Sequence, residues 1–208
     1  MKNNIILLLV GIFLLSGCAT VFLSPNGQEL ANKHQILAIL PPNVIIPPGK
    51  GMTAEVLKEQ QLSEGKVFQQ EIYTYLLKRK TKGQMLIDIQ EIESTNILLS
   101  RNNLDISNMT TQEICELLKV DGLLYSQFGL SKPMSAGVAV AAALLVGFAA
   151  TNEVTVSLSI KDCSEKTLIW KYDHKLSGGL ASTPSKLVTN LMRDASKKMP
   201  YFKYTAQR

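Results

Sequence analysis

The chain has 208 residues, with 22 Lys and Arg against 17 Asp and Glu, a formal charge of +5 and 46% hydrophobic residues. The apolar content excludes a disordered chain, and the length suits one sizeable domain or one domain with an insertion. The cations are spread, and the densest run, Lys78, Arg79, Lys80 and Lys82, falls where a helix is expected to end and so complements its dipole; no nucleic acid is expected as a partner.

The first segment, MKNNIILLLVGIFLLSG, carries one cation, Lys2, and then an unbroken apolar run from Ile5 to Leu15. This is the architecture of an export signal. As a helix the run covers about 17 Å, short of the ~30 Å hydrocarbon core that a resident span must cross. Leu15, Ser16 and Gly17 then lead into Cys18. Small side chains admit a cleavage site to a peptidase, and only a thiol gives a thioether. The stretch resembles the bacterial lipobox, which implies that residues 1–17 are removed and that Cys18 is lipidated as the mature N-terminus. Two or three acyl chains suffice for stable anchoring, at ~0.8 kcal/mol per buried CH₂. No acidic residue precedes Glu29; by resemblance to enterobacterial sorting rules this implies the outer membrane, facing the periplasm.

Residues 18–34 read as a polar, loop-like lipidated tether, and residues 35–204 as a single folded domain. Ile36 to Leu40 form a short apolar run closed by Pro41-Pro42, which cannot continue a ladder, and predict a buried strand. VIIPPGKG reads as a Pro/Gly loop. Leu57, Phe68, Ile72, Tyr75 and Leu76 recur at helical spacing, predicting a helix over 53–80 with Gly83 as its stop and Ser63 and Gly65 as points that divide it. Met85 to Ile89 read as a second strand, and Glu91 to Leu104 stay open between helix and loop. Thr110 and Glu113 carry a capping-box signature for a helix with Ile114, Leu117 and Leu118 on one face. Leu123 to Leu130 form the next strand. Val154, Val156, Leu158 and Ile160 alternate with polar residues, the turn DCSEK follows, and Leu168, Trp170 and Tyr172 resume the alternation, which is a hairpin. The last helix has Thr183 as N-cap, Pro184 at its first position, a stripe of Leu187, Val188, Leu191, Met192 and Ala195, and Pro200 as its end. This order predicts an α/β (α+β) sandwich, a mixed β-sheet of about five strands covered by helices, with an Ala-rich apolar insertion.

That insertion, residues 136–150 within KPMSAGVAVAAALLVGFAATN, has no charged or hydrogen-bonding side chain. It needs a dry partner: itself in a buried helical hairpin, a second subunit, or another protein. Val138, Val140, Leu144, Leu145 and Phe148 are the expected apolar interface, since an exposed patch of this size is unusual on a monomer. A pore-lining hairpin requires polar side chains at alternate positions, and this stretch has none.

Cys115 and Cys163 are able to pair in an oxidising envelope. Spacing alone does not say whether their Cα atoms come within ~7 Å. With only His34 and His174 as imidazoles and no C-x-x-C, no metal site is expected, and no cofactor beyond the lipid on Cys18. Asp173 and His174 are adjacent in a strand and face opposite ways, and no nucleophile, metalloprotease or phosphate-loop motif is present. Asp88, Glu91 and Glu93 read as a solvated edge. A catalytic role is not expected.

Three blocks, ILAILPP at 36–42, EICELLKVDGLLYSQF at 113–128 and VTVSLSIKDCSEKTLIWKYDHKLSGG at 154–179, resemble, in this order, the TolB-N-terminal-like or CsgG-like envelope lipoproteins, including the neisserial GNA1162-like group. With the lipobox they cover roughly half of the chain. The turn DCSEK lacks the family's usual Gly, and the insertion lacks the polar alternation of curli-type pore hairpins. The resemblance implies an accessory or assembly protein on the periplasmic side of the outer membrane, with other envelope proteins as partners and a homo-oligomer as its state. The remaining readings are a small-molecule or lipid-binding carrier and a subunit of a secretion channel.

Overall fold

The computed structural model describes residues 19–101, 106–132, 153–176 and 183–203. Their elements in chain order are β1 (Thr20–Leu23), α1 (Gly27–Lys33), β2 (Ile36–Ile39), β3 (Asn43–Ile45), α2 (Ala54–Thr81), β4 (Asp88–Ile89), α3 (Ile92–Arg101), a 3-10 turn (Ile106–Asn108), α4 (Thr111–Leu118), β5 (Gly122–Leu130), β6 (Val154–Asp162), β7 (Leu168–Leu176) and α5 (Pro184–Ala195). The seven strands form one mixed, open sheet in the order β1-β7-β6-β5-β2-β4, with β3 pairing β5 beyond the end of β2. This is an α+β sandwich. One sheet face packs against α1, α2 and α5, and the other against α4 and Leu99 of α3. No helix among the described residues is long and apolar enough to cross a membrane.

Local chemistry explains most of these elements. Thr110 Oγ1 accepts the Glu113 amide while the Glu113 carboxylate accepts the Thr110 amide, so two orphan donors of α4 are satisfied at once. The Thr183 side chain caps α5 above Pro184, whose missing N–H costs nothing there. In β6 every second residue is buried, from Val154 to Asp162. Phe68 of α2 stacks on Phe128 of β5 with ring centroids 4.2 Å apart, and Phe68, Ile72 and Leu76 are fully buried. Each such side chain contributes about 1.5–3 kcal/mol.

The structure departs from the sequence expectation at four places and decides a fifth that the sequence left open. Residues 19–34, expected to be loop-like, carry a strand and a helix. Thr20 to Leu23 pair antiparallel with β7, and Gly27 to Lys33 are helical, burying Leu30 and Ala31 in the core. The Pro/Gly loop contains β3, which pairs with β5 from Asn43↔Gln127 to Ile45↔Gly129 and, with β1, brings the sheet to seven strands. Helix α2 runs undivided for 28 residues. Its Gly65 is a packing glycine: an added Cβ would lie 2.9 Å from the Pro42 carbonyl oxygen. Of the expected strand at 85–89, only Asp88 and Ile89 pair with β2, while Met85 bridges to Phe202. The ambiguous stretch after Glu91 is helical from Ile92 to Arg101.

Register also fixes which ends meet. Thr20↔Asp173 and Leu23↔Trp170 direct the chain upstream of β1 toward the Leu176 end of β7. Leu176 lies opposite Val154, and Val154 opposite Leu130. The paths toward Cys18 and toward 136–150 therefore leave the sheet at the same end.

Candidate functional site

Cys18, and Val138, Val140, Leu144, Leu145 and Phe148, lie outside the described residues. Three other features emerge from the described chain: a cleft, a buried polar lock and a disulfide.

The cleft lies where β2 stops. Pro41 and Pro42 have no N–H to offer, so the ladder along β5 breaks between Ile39↔Leu124 and Asn43↔Gln127. Helices α2 and α3 stand apart over this break and leave an open cleft of about 1130 Å³. Its floor includes Pro42, Tyr125 and Ser126, and its rim the exposed side chains of Leu62 and Ile97. Gln69 and Asn96 bridge the two helices by a reciprocal amide pair, Gln69 Nε2 to Asn96 Oδ1 at 3.1 Å and Asn96 Nδ2 to Gln69 Oε1 at 2.9 Å. The Gln69 Nε2 also donates to the Ile39 carbonyl at 2.8 Å, tying the pair to the last residue of β2. Ser126 is 6% exposed, and its Oγ makes no hydrogen bond to any described group. A buried hydroxyl without a partner carries a desolvation cost of about 1–3 kcal/mol. One cation, Lys66, and one anion, Glu93, flank the cleft, which is otherwise neutral.

The lock sits at the opposite end of the sheet from the path to Cys18. His34 Nε2 lies 2.7 Å from Asp162 Oδ1, and His34 Nδ1 lies 2.6 Å from the Tyr201 hydroxyl. A carboxylate only accepts, so Nε2–H donates to Asp162; the phenol donates to Nδ1. Asp162 Oδ2 accepts from the Ser164 hydroxyl at 2.7 Å and the Glu165 amide at 2.5 Å. Burial on its own would raise the Asp162 carboxyl, but the Glu165 amide, the His34 ring and the Ser164 hydroxyl outweigh it and hold the carboxyl below its ordinary value. Burial first, and then the charges of Asp162 and Asp121, drive the Tyr201 phenol far above its usual range. Gly122 is required here, since a Cβ would meet His34 Nδ1 at 2.8 Å and the Tyr201 hydroxyl at 2.9 Å. The order phenol, imidazole, carboxylate has the connectivity of a proton relay. With Tyr201 1% and His34 6% exposed, however, no substrate reaches it. Its role is to join α1, the β6–β7 turn and the C-terminal segment.

Beside this lock Cys115 and Cys163 form a disulfide with Cα atoms 5.7 Å apart. The Cys163 amide donates to the Asp121 carbonyl, and the Asp121 carboxylate receives the amides of Gln35 and Ile36 at 2.8 and 2.9 Å. The end of α4, the start of β2 and the β6–β7 turn are thus tied at one corner.

The residues weighed for catalysis do not converge. Asp173 is engaged by Lys171 at 2.8 Å, whereas His174 points to the other sheet face beside Tyr172. Asp88 pairs with Lys80. Among the described residues no three His, Cys, Asp or Glu side chains group as metal ligands would.

Among solved structures the chain is similar to the PelC dodecamer from Paraburkholderia phytofirmans, at 12% identity over 90% of this chain and 99% of that one, with a TM-score of 0.44. It is similar to lipoprotein GNA1162 from Neisseria meningitidis, at 11% identity over 79% and 96% and a TM-score of 0.46. A third likeness is to the C-terminal domain of LpoB from Escherichia coli, at 13% identity over 74% and 94% and a TM-score of 0.35. No protein-family model and no curated protein matches the chain. The functional reading therefore rests on this chain's own residues.

Proposed function

We propose that the chain is a lipid-anchored, non-catalytic accessory protein of the cell envelope that receives a segment of another envelope protein in the α2–α3 cleft. Cys18 carries the anchor, the folded body faces the periplasm from the outer membrane, and Val138, Val140, Leu144, Leu145 and Phe148 form a contact between copies. The observation that carries the cleft is the Ser126 hydroxyl, buried at its floor without a partner. An uncharged, partly apolar segment satisfies that hydroxyl while covering Leu62 and Ile97. The Cys115–Cys163 disulfide supports the location, because disulfides persist in oxidising compartments.

Ile97→Arg tests the cleft. Ile97 is 39% exposed, so the substitution changes unfolding by less than about 0.5 kcal/mol. Capture from detergent-solubilised envelopes is expected to yield one dominant protein with the unaltered chain and roughly tenfold less of it with Ile97→Arg. Equal recovery contradicts the cleft reading. The same cleft admits a second reading, a carrier of a small amphiphile; solvent extraction of the native protein that returns a stoichiometric lipid, absent from Ile97→Arg, decides for it.

A further inference from the structure

The segment that follows the lipidation site is a strand rather than a free linker. Ala19 is the first described residue, and Thr20 already pairs with Asp173. At ~3.4 Å per residue, Val21 stands about 10 Å and Leu23 about 17 Å along the chain from Cys18.

β1 is also an unusual edge. Its one paired side faces β7, and no described strand pairs with its outer side. Soluble proteins guard such an edge with charge, Pro or a bulge, because bare strand edges recruit other chains. β1 is short, at four residues, but carries no charge, Pro or bulge: its sequence is TVFL, and Val21, Phe22 and Leu23 are 38%, 45% and 46% exposed. Phe22 shares a sheet face with Lys171, and Val21 and Leu23 share the other with Tyr172 and Trp170. The apolar surface therefore wraps both sides of the edge, as immersion in the interfacial layer of a bilayer requires and a one-sided protein contact does not.

Resting on the reading that Cys18 is acylated, we propose that β1 is a membrane-contact strand. In the anchored protein Val21, Phe22 and Leu23 lie in the headgroup layer of the same bilayer that holds the acyl chains. The depth follows from the backbone. The free N–H and C=O groups of the edge need water or headgroup partners, so the strand stays above the hydrocarbon core. Aromatic and aliphatic side chains at the acyl boundary are the ordinary composition of an interfacial contact.

The test places a second tryptophan in the acylated, full processed protein anchored in phosphatidylcholine vesicles. The native Trp170 is fully buried and supplies a constant background. Phe22→Trp is an aromatic exchange on an exposed edge, and Val21→Trp serves if it fails to fold. Leu86→Trp, 54% exposed near Phe202 at the far end of the sheet, is the reference. Lipid brominated high on the acyl chain is expected to quench the residue-22 tryptophan about twofold, with less quenching by deep bromines and none at residue 86. Equal, unquenched emission at both positions overturns the proposal, and so does a blue shift at residue 22 without bromine quenching, which means that another protein chain covers the edge. Mass spectrometry of the same sample reports acylation separately: unmodified Cys18 removes the anchor reading and this proposal with it, whereas acylated Cys18 with an unquenched residue 22 removes this proposal alone.

Discussion

Replacing His34 by Ala is expected to lower the unfolding free energy by about 3 kcal/mol. The substitution leaves the Asp162 carboxylate, 3% exposed at its side chain, without its ring partner, and leaves the Tyr201 hydroxyl facing a void. Asp162→Asn costs less, about 1–2 kcal/mol, because the amide oxygen still accepts from the Glu165 backbone. The pair also has a pH signature. A carboxyl held below its ordinary value in the folded state stabilises fully above that value, near 4, and the contribution disappears as pH falls through the lower folded value. Urea unfolding at pH 7, 5 and 3 is the measurement. The unaltered protein loses stability most steeply below about pH 4, and Asp162→Asn shows a shallower acid limb.

The double substitution of Cys115 and Cys163 by Ser is expected to cost about 4 kcal/mol, from the loop entropy released when a cross-link spanning 48 residues is opened. Reduction with a thiol should reproduce the loss in the unaltered protein and leave the double variant unchanged. The cost falls on the corner where Cys163 meets Asp121 and Asp162 meets His34. The disulfide and the lock are therefore expected to couple: combining His34→Ala with the two Ser substitutions departs from additivity by more than about 0.5 kcal/mol. Strict additivity would mean that the two devices hold independent parts of the fold.

Elements whose signals are local were legible in the sequence. The alternation in 154–162 and 168–176 gave the hairpin, Thr110 with Glu113 gave the start of α4, and Thr183-Pro184 gave the start of α5. β1 and β3 were not legible, because four and three residues are too few to show a period, and each is a strand only through a partner more than eighty residues away. The lock was hidden for the same reason: His34 meets Asp162 across 128 positions and Tyr201 across 167. The disulfide depended on strand register, which spacing along the chain does not show. Asp162 pairs with Gly122 at the end of the β5–β6 ladder, so Cys163 had to emerge beside the helix that carries Cys115 on its buried face. The cleft left only one trace, Pro41-Pro42 after an apolar run, which reads equally well as the end of a strand.

Metabolic labelling with palmitate, followed by mass spectrometry of the mature N-terminus, tests the central claim most directly. The expected result is an acylated peptide beginning at Cys18, recovered with the membrane fraction. An unlabelled protein that retains residues 1–17, or that begins elsewhere and sediments as a free soluble species, would contradict the account.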